Sequence, residues 1–240
     1  MTAPESALSD LALMRAATVR LRASIDSLDA AAITAPSLLP GWTRAHVLSH
    51  LARNADGMRN LLLSARTGAP IGMYPSRPLR DADIDAGATR DPVLVLLDVH
   101  AAAERLAFDM AALPDDAWAA TVSPFGPDGP RLAAPALPGL RMREVEAHHV
   151  DLGLGYSFAD SPRAMAESFL NQLPSRFAQT DLAPITVTAT DLHRSWTVGG
   201  DGGPTIEGRS SDLLAWALGR APGSELTASD GSVPVSPGWG

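Results

Sequence analysis

Apolar residues recur at helical spacing through most of the first 156 residues of the chain. Successive apolar positions lie three or four residues apart, the repeat with which a helix buries one face. Breaks in the repeat coincide with turn and capping signals at Pro40-Gly41, Thr43, Gly68 and Asp91-Pro92. The pattern predicts four helices, over residues 5–33, 43–68, 93–113 and 139–152. Four helices with long crossovers predict a bundle whose sites are built from inward-pointing side chains.

Two connections in this helical part are long. Residues 69–90, APIGMYPSRPLRDADIDAGATR, are predicted to form a loop, and loops of that length are usually functional or mobile. Residues 114–138 are rich in proline and glycine, and Asp128-Gly129 within them favours a tight turn or a short hairpin.

After Tyr156 the pattern changes to one that mixes strands with helices. The predicted elements are a helix over residues 162–180, strands over 184–191, 193–200, 205–208 and 224–230, and an amphipathic helix over 210–220. Ser210 or Ser211 is placed to cap that last helix. The fold class expected is therefore a two-domain chain. Residues 1–156 form a four-helix bundle, and residues 157–240 form a small α+β domain.

Composition and charge narrow the classes of function. The net charge of -8 argues against nucleic acid as a partner, because phosphate binding needs a basic surface. No apolar run has the roughly 18 residues of a membrane helix, and the N-terminus lacks the features of a secretion signal, so we expect a cytoplasmic protein. Cysteine is absent, which excludes disulfides, thiolate ligands and a cysteine nucleophile. Any thiol chemistry would need a thiol from a cofactor.

The stretch REVEAHHVDLG places Glu144 four residues before His148. On a helix this spacing brings the two side chains to one face, where a carboxylate and an imidazole can share a metal ion. His149 falls on the far side of the neighbouring apolar stripe, so His148 is the better ligand candidate. A helix-surface hydrogen bond or ion pair explains the same spacing equally well.

His46 and His50 show the same four-residue spacing on the second predicted helix. His50 borders the apolar stripe of that helix, whereas His46 is predicted to point further toward solvent. A polar residue at a core edge is more often a satisfied hydrogen bonder than a ligand. Together, however, His50, Glu144 and His148 form an N,N,O set with an open position, as in catalytic zinc sites.

Other polar residues have two interpretations each. Asp151 is placed to accept a hydrogen bond from a ligating imidazole, or to pair with Arg143. Asn54, one turn after His50, has the same two interpretations: it either supports a ligating imidazole or makes an unrelated polar contact. Three arginines, Arg77, Arg80 and Arg220, are either solvated surface charges or a means of binding a carboxylate substrate beside a metal.

Three segments are similar to those of the mycothiol-dependent maleylpyruvate isomerases, within a wider superfamily of thiol-dependent metalloenzymes. The segments are LLPGWTRAHVLSHLARNADGMRNLL, GMYPSRPLRDADID and MREVEAHHVDLG. The resemblance covers most of the chain, most strongly over residues 38–85 and 140–153, and more weakly around LLAWALGRAPGSELTASDG. It implies a DinB-like four-helix bundle joined to a small α+β domain that contributes to the active site.

The same resemblance implies a zinc ion at His50, Glu144 and His148, with mycothiol as the thiol. It also implies that Arg220 is important for activity and that Arg80 is a weaker candidate for substrate binding. His46 and His149 match no ligand position, which agrees with the outward direction expected of both side chains. In the implied reaction a metal-activated thiolate adds to the cis double bond, the resulting single bond rotates, and elimination gives the trans product. N,N,O ligation also suits other divalent ions.

Three alternatives stay open at this point. A metal-dependent S-transferase would join mycothiol to another electrophile and share the same ligands. A non-catalytic sensor would retain the metal without turnover. In a purely structural interpretation, the histidines would be solvated helix residues without a metal.

Overall fold

The computed structural model describes residues 5–127, 129–178 and 180–238. The chain divides into two compact units between Gly155 and Tyr156. Within the described residues, no helix is both long enough and apolar enough to cross a membrane.

The first unit is helical and carries one short hairpin. Its helices are α1 (Glu5–Ile25), α2 (Ala30–Thr34), α3 (Arg44–Thr67), α4 (Arg77–Ala88), α5 (Pro92–Ala111) and α6 (Leu137–Asp151). The four long helices α1, α3, α5 and α6 form the bundle, in which α3 packs on α5 and α6, and α1 packs on α6. Leu48, Leu51 and Leu61 of α3 are fully buried, as expected for a helix with neighbours on several sides.

The predicted first helix is wrong in its length, because the chain breaks between α1 and α2. Asp29 caps α2, and its side chain accepts a hydrogen bond from the backbone N–H of Ala32 at 2.7 Å. Short acidic side chains compete with the helical hydrogen-bond pattern in this way. Ile25 and Ile33 are both buried on either side of the break, so apolar spacing alone does not reveal it.

The prediction of an unstructured loop over residues 69–90 is also wrong, because α4 occupies its second half. Ser76 caps α4 by accepting from the N–H of Leu79, and Pro78 lies in the first turn, where its missing N–H has no cost. Among the residues of α4 only Ile84 is buried, so the helix has almost no apolar stripe to reveal it.

A close approach fixes α4 against α3. A Cβ added at Gly87 would lie 2.8 Å from the Oγ and 3.0 Å from the Cβ of Ser49. The glycine therefore lets α4 lie directly over the residue that precedes His50.

The other helix ends of the bundle agree with the capping signals. Thr43 is the N-cap of α3, Gly68 closes that helix in the left-handed region at φ 71°, and Asp91 caps α5 through the N–H of Val93. The short hairpin is confirmed: β1 (Thr121–Val122) pairs antiparallel with β2 (Leu132–Ala133). Asp128 of the predicted turn lies outside the described residues.

The second unit is a small α+β structure. It contains α7 (Arg163–Leu170), α8 (Leu173–Phe177), β3 (Ile185–Ala189), β4 (Arg194–Val198), β5 (Thr205–Gly208), α9 (Ser210–Ala217) and β6 (Thr227–Ala228). The strand order is β4-β3-β5-β6, with β3 and β5 parallel and the other pairs antiparallel.

Two expectations for this unit need correction. The single helix predicted over residues 162–180 is two helices, and Pro174 stands in the first turn of the second. Neither Ser210 nor Ser211 caps α9, because the N-cap is Arg209 and Ser210 is already helical. Asp191 takes over the capping role by accepting from the backbone N–H and the hydroxyl of Ser210, at 2.7 and 2.8 Å.

Candidate metal centre

Helices α3 and α6 bring His50, Glu144 and His148 together. One ligand atom from each lies within 4.8 Å of the other two. The Nε2 of His50 is 3.1 Å, and the Nε2 of His148 is 3.8 Å, from the same oxygen, Glu144 Oε2. The two imidazole rings meet edge to face at 4.4 Å between centroids. Two imidazole nitrogens and one carboxylate oxygen thus converge on one point, a donor set that fits a divalent ion such as zinc.

The geometry of α6 explains which of its residues meet. At about 100° per residue, Glu144, His148 and Asp151 fall within about 60° of the helix circumference. Glu146 and His149 fall on the opposite side, facing α1. There Glu146 pairs with Arg20 at 2.7 Å, and His149 Nε2 is 2.8 Å from Ser24 Oγ. The expectation that His149 points outward is therefore wrong, because it is fully buried between α6 and α1.

Asp151 orients His148. Its Oδ2 is 2.8 Å from His148 Nδ1, and the side chain is almost completely buried. The contact is a short ion pair rather than a hydrogen bond, so its effect is chiefly electrostatic. A carboxylate beside Nδ1 favours the tautomer with the proton on Nδ1, which leaves the Nε2 lone pair directed at the cluster.

His50 is held in a different way. It is 4% exposed, and the ring of Trp42 lies 5.8 Å from its ring. Its Nδ1 lies 2.9 Å from Nη2 of Arg80, which reaches it from the first turn of α4. Because a guanidinium can only donate, Nδ1 accepts this hydrogen bond and the proton of the neutral ring is on Nε2, facing Glu144.

Burial and mutual contacts set the charges of this pair. Burial lowers the pKa of His50 to about 4, and the charges of His148 and Arg80 act in the same direction against the opposing effect of Glu144. For Glu144, burial alone would raise the pKa, but the hydrogen bond from His50 and the charges of His50, His148 and Arg143 hold it below its usual value. At neutral pH the pair is a carboxylate beside a neutral imidazole, the state that a metal site needs.

Arg80 and Tyr74 form the rim of the cluster. The Arg80 guanidinium lies 5.7 Å from the centroid of the Tyr74 ring and binds Asp81 through Nη1 at 2.7 Å. Burial raises the pKa of Tyr74, and the charge and hydrogen bond of Arg80 oppose that shift. Tyr74 is a residue that the sequence reasoning missed. The sequence held one weak signal, a glycine at position 57 inside the predicted second helix. In the structure, a Cβ added at Gly57 would lie 3.2 Å from Tyr74 Cε1, so the glycine makes room for that ring.

Arg141 is a second missed residue, one turn before Glu144. It is 2% exposed and donates through Nη1 to the Leu51 carbonyl at 2.9 Å and to Asn54 Oδ1 at 2.7 Å. Burial lowers its pKa to about 10, so it still carries a positive charge at neutral pH. The structure thereby places Asn54 as the partner of this arginine.

The remaining candidates lie elsewhere. His46 completes the cap of α3, since its Nδ1 accepts from the Thr43 N–H at 3.2 Å, and its side chain is 23% exposed. Arg77 is exposed on α4. Arg220 belongs to the second unit, where it follows α9 and donates to the Leu218 carbonyl at 2.9 Å.

Two solved structures match this chain over its whole length, and a third matches part of it. The crystal structure of the mycothiol-dependent maleylpyruvate isomerase superposes with a TM-score of 0.86 at 27% identity, covering 100% of both chains. A histidine-to-alanine mutant of that enzyme gives a TM-score of 0.85 with the same identity and coverage. YfiT from Bacillus subtilis, described as a probable metal-dependent hydrolase with an unusual four-helix bundle topology, gives 0.52 at 15% identity over 64% of this chain and 87% of its own. That last likeness is one of fold alone.

No curated protein matches the sequence significantly. The profile of the mycothiol maleylpyruvate isomerase N-terminal domain family matches residues 14–153, which is more than half of the chain and includes all three donors of the cluster. The chain belongs to the mycothiol maleylpyruvate isomerase N-terminal domain family.

Proposed function

We propose that this protein catalyses the mycothiol-dependent isomerisation of maleylpyruvate to fumarylpyruvate. The observation that carries the proposal is the convergence of His50, Glu144 and His148 within 4.8 Å. It occurs in a chain that matches the mycothiol-dependent maleylpyruvate isomerase over its full length.

In this proposal His50 and His148 bind zinc through Nε2, and Glu144 binds it through a carboxylate oxygen. When bound, zinc would keep a thiol in its thiolate form at neutral pH. Asp151 keeps the proton of His148 on Nδ1, and the buried surroundings keep His50 neutral. The chain has no cysteine, so the thiol comes from mycothiol.

The proposed reaction is balanced without any oxidant. The mycothiol thiolate forms a C–S bond to one alkene carbon, and the electron pair of the double bond moves onto the conjugated carbonyl as an enolate. The former double bond is now single and rotates. The enolate pair then restores the double bond in the trans arrangement, the C–S bond breaks, and the thiolate leaves.

Two arginines serve the anionic substrate in this scheme. Arg80 lies against His50, at the edge of the donor cluster, and suits a carboxylate or an enolate oxygen. The role of Arg220 rests on the resemblance of its segment to the isomerases, and we propose that the second unit contributes it to the active site. The DinB-like classification of the bundle and a cytoplasmic location belong to the same proposal.

The test is an assay of zinc-loaded protein with maleylpyruvate, with and without mycothiol, in which proton NMR follows fumarylpyruvate. We expect turnover only with mycothiol. His50→Ala should lose both zinc and activity. Arg220→Ala should keep its zinc and lose activity, whereas Arg209→Ala, at the other end of α9, should keep both.

Each other result points to a different function. Consumption of mycothiol with formation of a stable conjugate would indicate an S-transferase. Tight zinc binding with no turnover would indicate a sensor. Full activity of His50→Ala with full zinc content would refute the proposed ligand set.

A further inference from the structure

The two imidazoles of the cluster are prepared for a metal to different degrees. His148 has a carboxylate, Asp151, at Nδ1, and this favours the tautomer whose Nε2 is a free lone pair. His50 has a cation, Arg80, at Nδ1, and Glu144 at Nε2. This arrangement favours the opposite tautomer, in which Nε2 carries the proton and cannot bind a metal.

A metal at His50 Nε2 therefore requires a change at the other end of the ring. The proton that occupies Nε2 has to be lost there, and a neutral imidazole bound through Nε2 carries its proton on Nδ1. An Nδ1–H cannot accept from a guanidinium, and two donors 2.9 Å apart repel each other. The Arg80–His50 hydrogen bond and a metal bound at His50 are mutually exclusive.

We infer that Arg80 is a metal-gated anion-binding residue: it is held by His50 in metal-free protein and released to bind an anionic ligand when the metal occupies His50 Nε2. The inference rests on the proposed metal site. It makes binding ordered, with the metal first and the carboxylate second.

The surroundings of Arg80 favour only a small movement of its guanidinium group when the hydrogen bond to His50 is lost. Asp81 on the same helix still holds Nη1, and the Tyr74 ring lies beside the guanidinium. The backbone of Arg80 is fixed in α4 by its hydrogen bond to the Ser76 carbonyl at 3.1 Å. Only Nη2 loses its acceptor, and a carboxylate of the substrate class is its natural replacement.

Nitrogen NMR of protein labelled in histidine and arginine tests the inference directly. In zinc-free protein we expect His50 to carry its proton on Nε2 and His148 on Nδ1. Adding zinc should move the His50 proton to Nδ1 and shift the Arg80 Nε–H signal. Arg77, on the same helix turn and exposed, is the internal control and should not shift.

Maleate, a stable dicarboxylate, then serves as the anion probe. It should shift Arg80 in zinc-loaded protein and leave Arg80 unchanged in zinc-free protein. Arg80→Met should bind zinc about tenfold more tightly, because the competing hydrogen bond to a charged group is gone, whereas Arg77→Met should match the wild type.

The inference fails if zinc-free His50 already carries its proton on Nδ1, or if zinc leaves the Arg80 signal unmoved. It also fails if maleate shifts Arg80 equally with and without zinc, or in neither state. These results are independent of turnover, so a failure here is distinguishable from a failure of the isomerase proposal.

Discussion

The two halves of the metal cluster are built in different ways. The α6 half, Glu144, His148 and Asp151, lies within eight residues of one helix, and its geometry follows from helical periodicity. The other half needs three elements: α3 for His50, the segment before it for Trp42, and α4 for Arg80. Local geometry fixes the first half, whereas tertiary packing fixes the second. The two halves should therefore respond differently to mutation.

The largest effect should come from Glu144, which both histidines face. Glu144→Gln removes the only anionic donor of the cluster, so we expect the zinc Kd to rise by at least about 100-fold, beyond the usual effect of an outer-shell partner. Competition with a chromophoric chelator measures it. Glu146→Gln, on the opposite face of α6, should lower stability through its lost pairing with Arg20 and leave the zinc Kd nearly unchanged. Equal zinc affinities in both variants would contradict the assignment of faces.

Lowering the pH should reduce the unfolding free energy of metal-free protein, chiefly because of His50 in the α3 half of the cluster. The pKa of His50 is lowered from 6.5 to about 4, so between these values the unfolded chain binds a proton that the folded chain does not, and stability falls as the pH falls. The lowered pKa of Glu144 acts in the same direction: its stabilisation is present above the unfolded pKa and is lost at lower pH. The His50 contribution is at most about 3 kcal/mol.

Urea unfolding near pH 7 and near pH 4.5 measures this effect. His50→Gln should show a shallower loss of unfolding free energy with acid than the wild type. Identical pH slopes in the two proteins would show that His50 is not buried in the neutral state.

The α6 half should depend on Asp151 to a smaller degree. Asp151→Asn keeps the shape of the side chain but removes the charge that favours a proton on His148 Nδ1, so the zinc Kd should rise about tenfold. Asp85→Asn, at an exposed carboxylate 3.9 Å from His46, is the matched control and should leave the Kd unchanged. A wild-type Kd in Asp151→Asn would remove Asp151 from the site.

The smallest expected effect comes from displacing α4, and it should distinguish the two halves of the metal cluster most clearly. Gly87→Val introduces atoms where Ser49 already lies, so α4 has to shift, at a cost of about 1 kcal/mol in unfolding free energy. We expect zinc binding to be retained and, in zinc-free protein, the Arg80–His50 contact to be lost, as seen in the Arg80 NMR signal. Ala86→Val, at an exposed position of the same helix, isolates the cost of a branched residue. Loss of zinc in Gly87→Val would show that α4 supports the ligands themselves.

The same contrast explains how much of the molecule could be predicted from sequence. Apolar spacing and caps predicted α3, α5 and α6, and the spacing of Glu144 and His148 placed them on one face. Spacing on α3 also favoured His50 over His46. These are local relations, which a single sequence contains.

The features that could not be predicted depend on contacts between elements, which apolar spacing along one chain segment does not encode. Helix α4 has one buried residue, so its position depends on Gly87 and on the surface of α3. His149 looked exposed because the sequence does not show that α1 covers the second face of α6 with Ser24 and Arg20. Tyr74 lies on a connecting segment, to which no spacing rule applies. Arg141 lies one turn before Glu144, but its partners Leu51 and Asn54 belong to α3, which the spacing on α6 does not reveal.

The contacts of Ser24 and Arg20 with α6 also set the rotational phase of that helix. His148 and His149 are neighbours about 100° apart on the helix, and α1 holds the second of them while carrying no donor of the cluster itself. A roll of α6 about its axis would carry His148 away from His50 only by breaking the polar contacts behind it. Helix α1 therefore resists rotation of α6 about its axis, and so supports a site to which the described residues of α1 contribute no ligand.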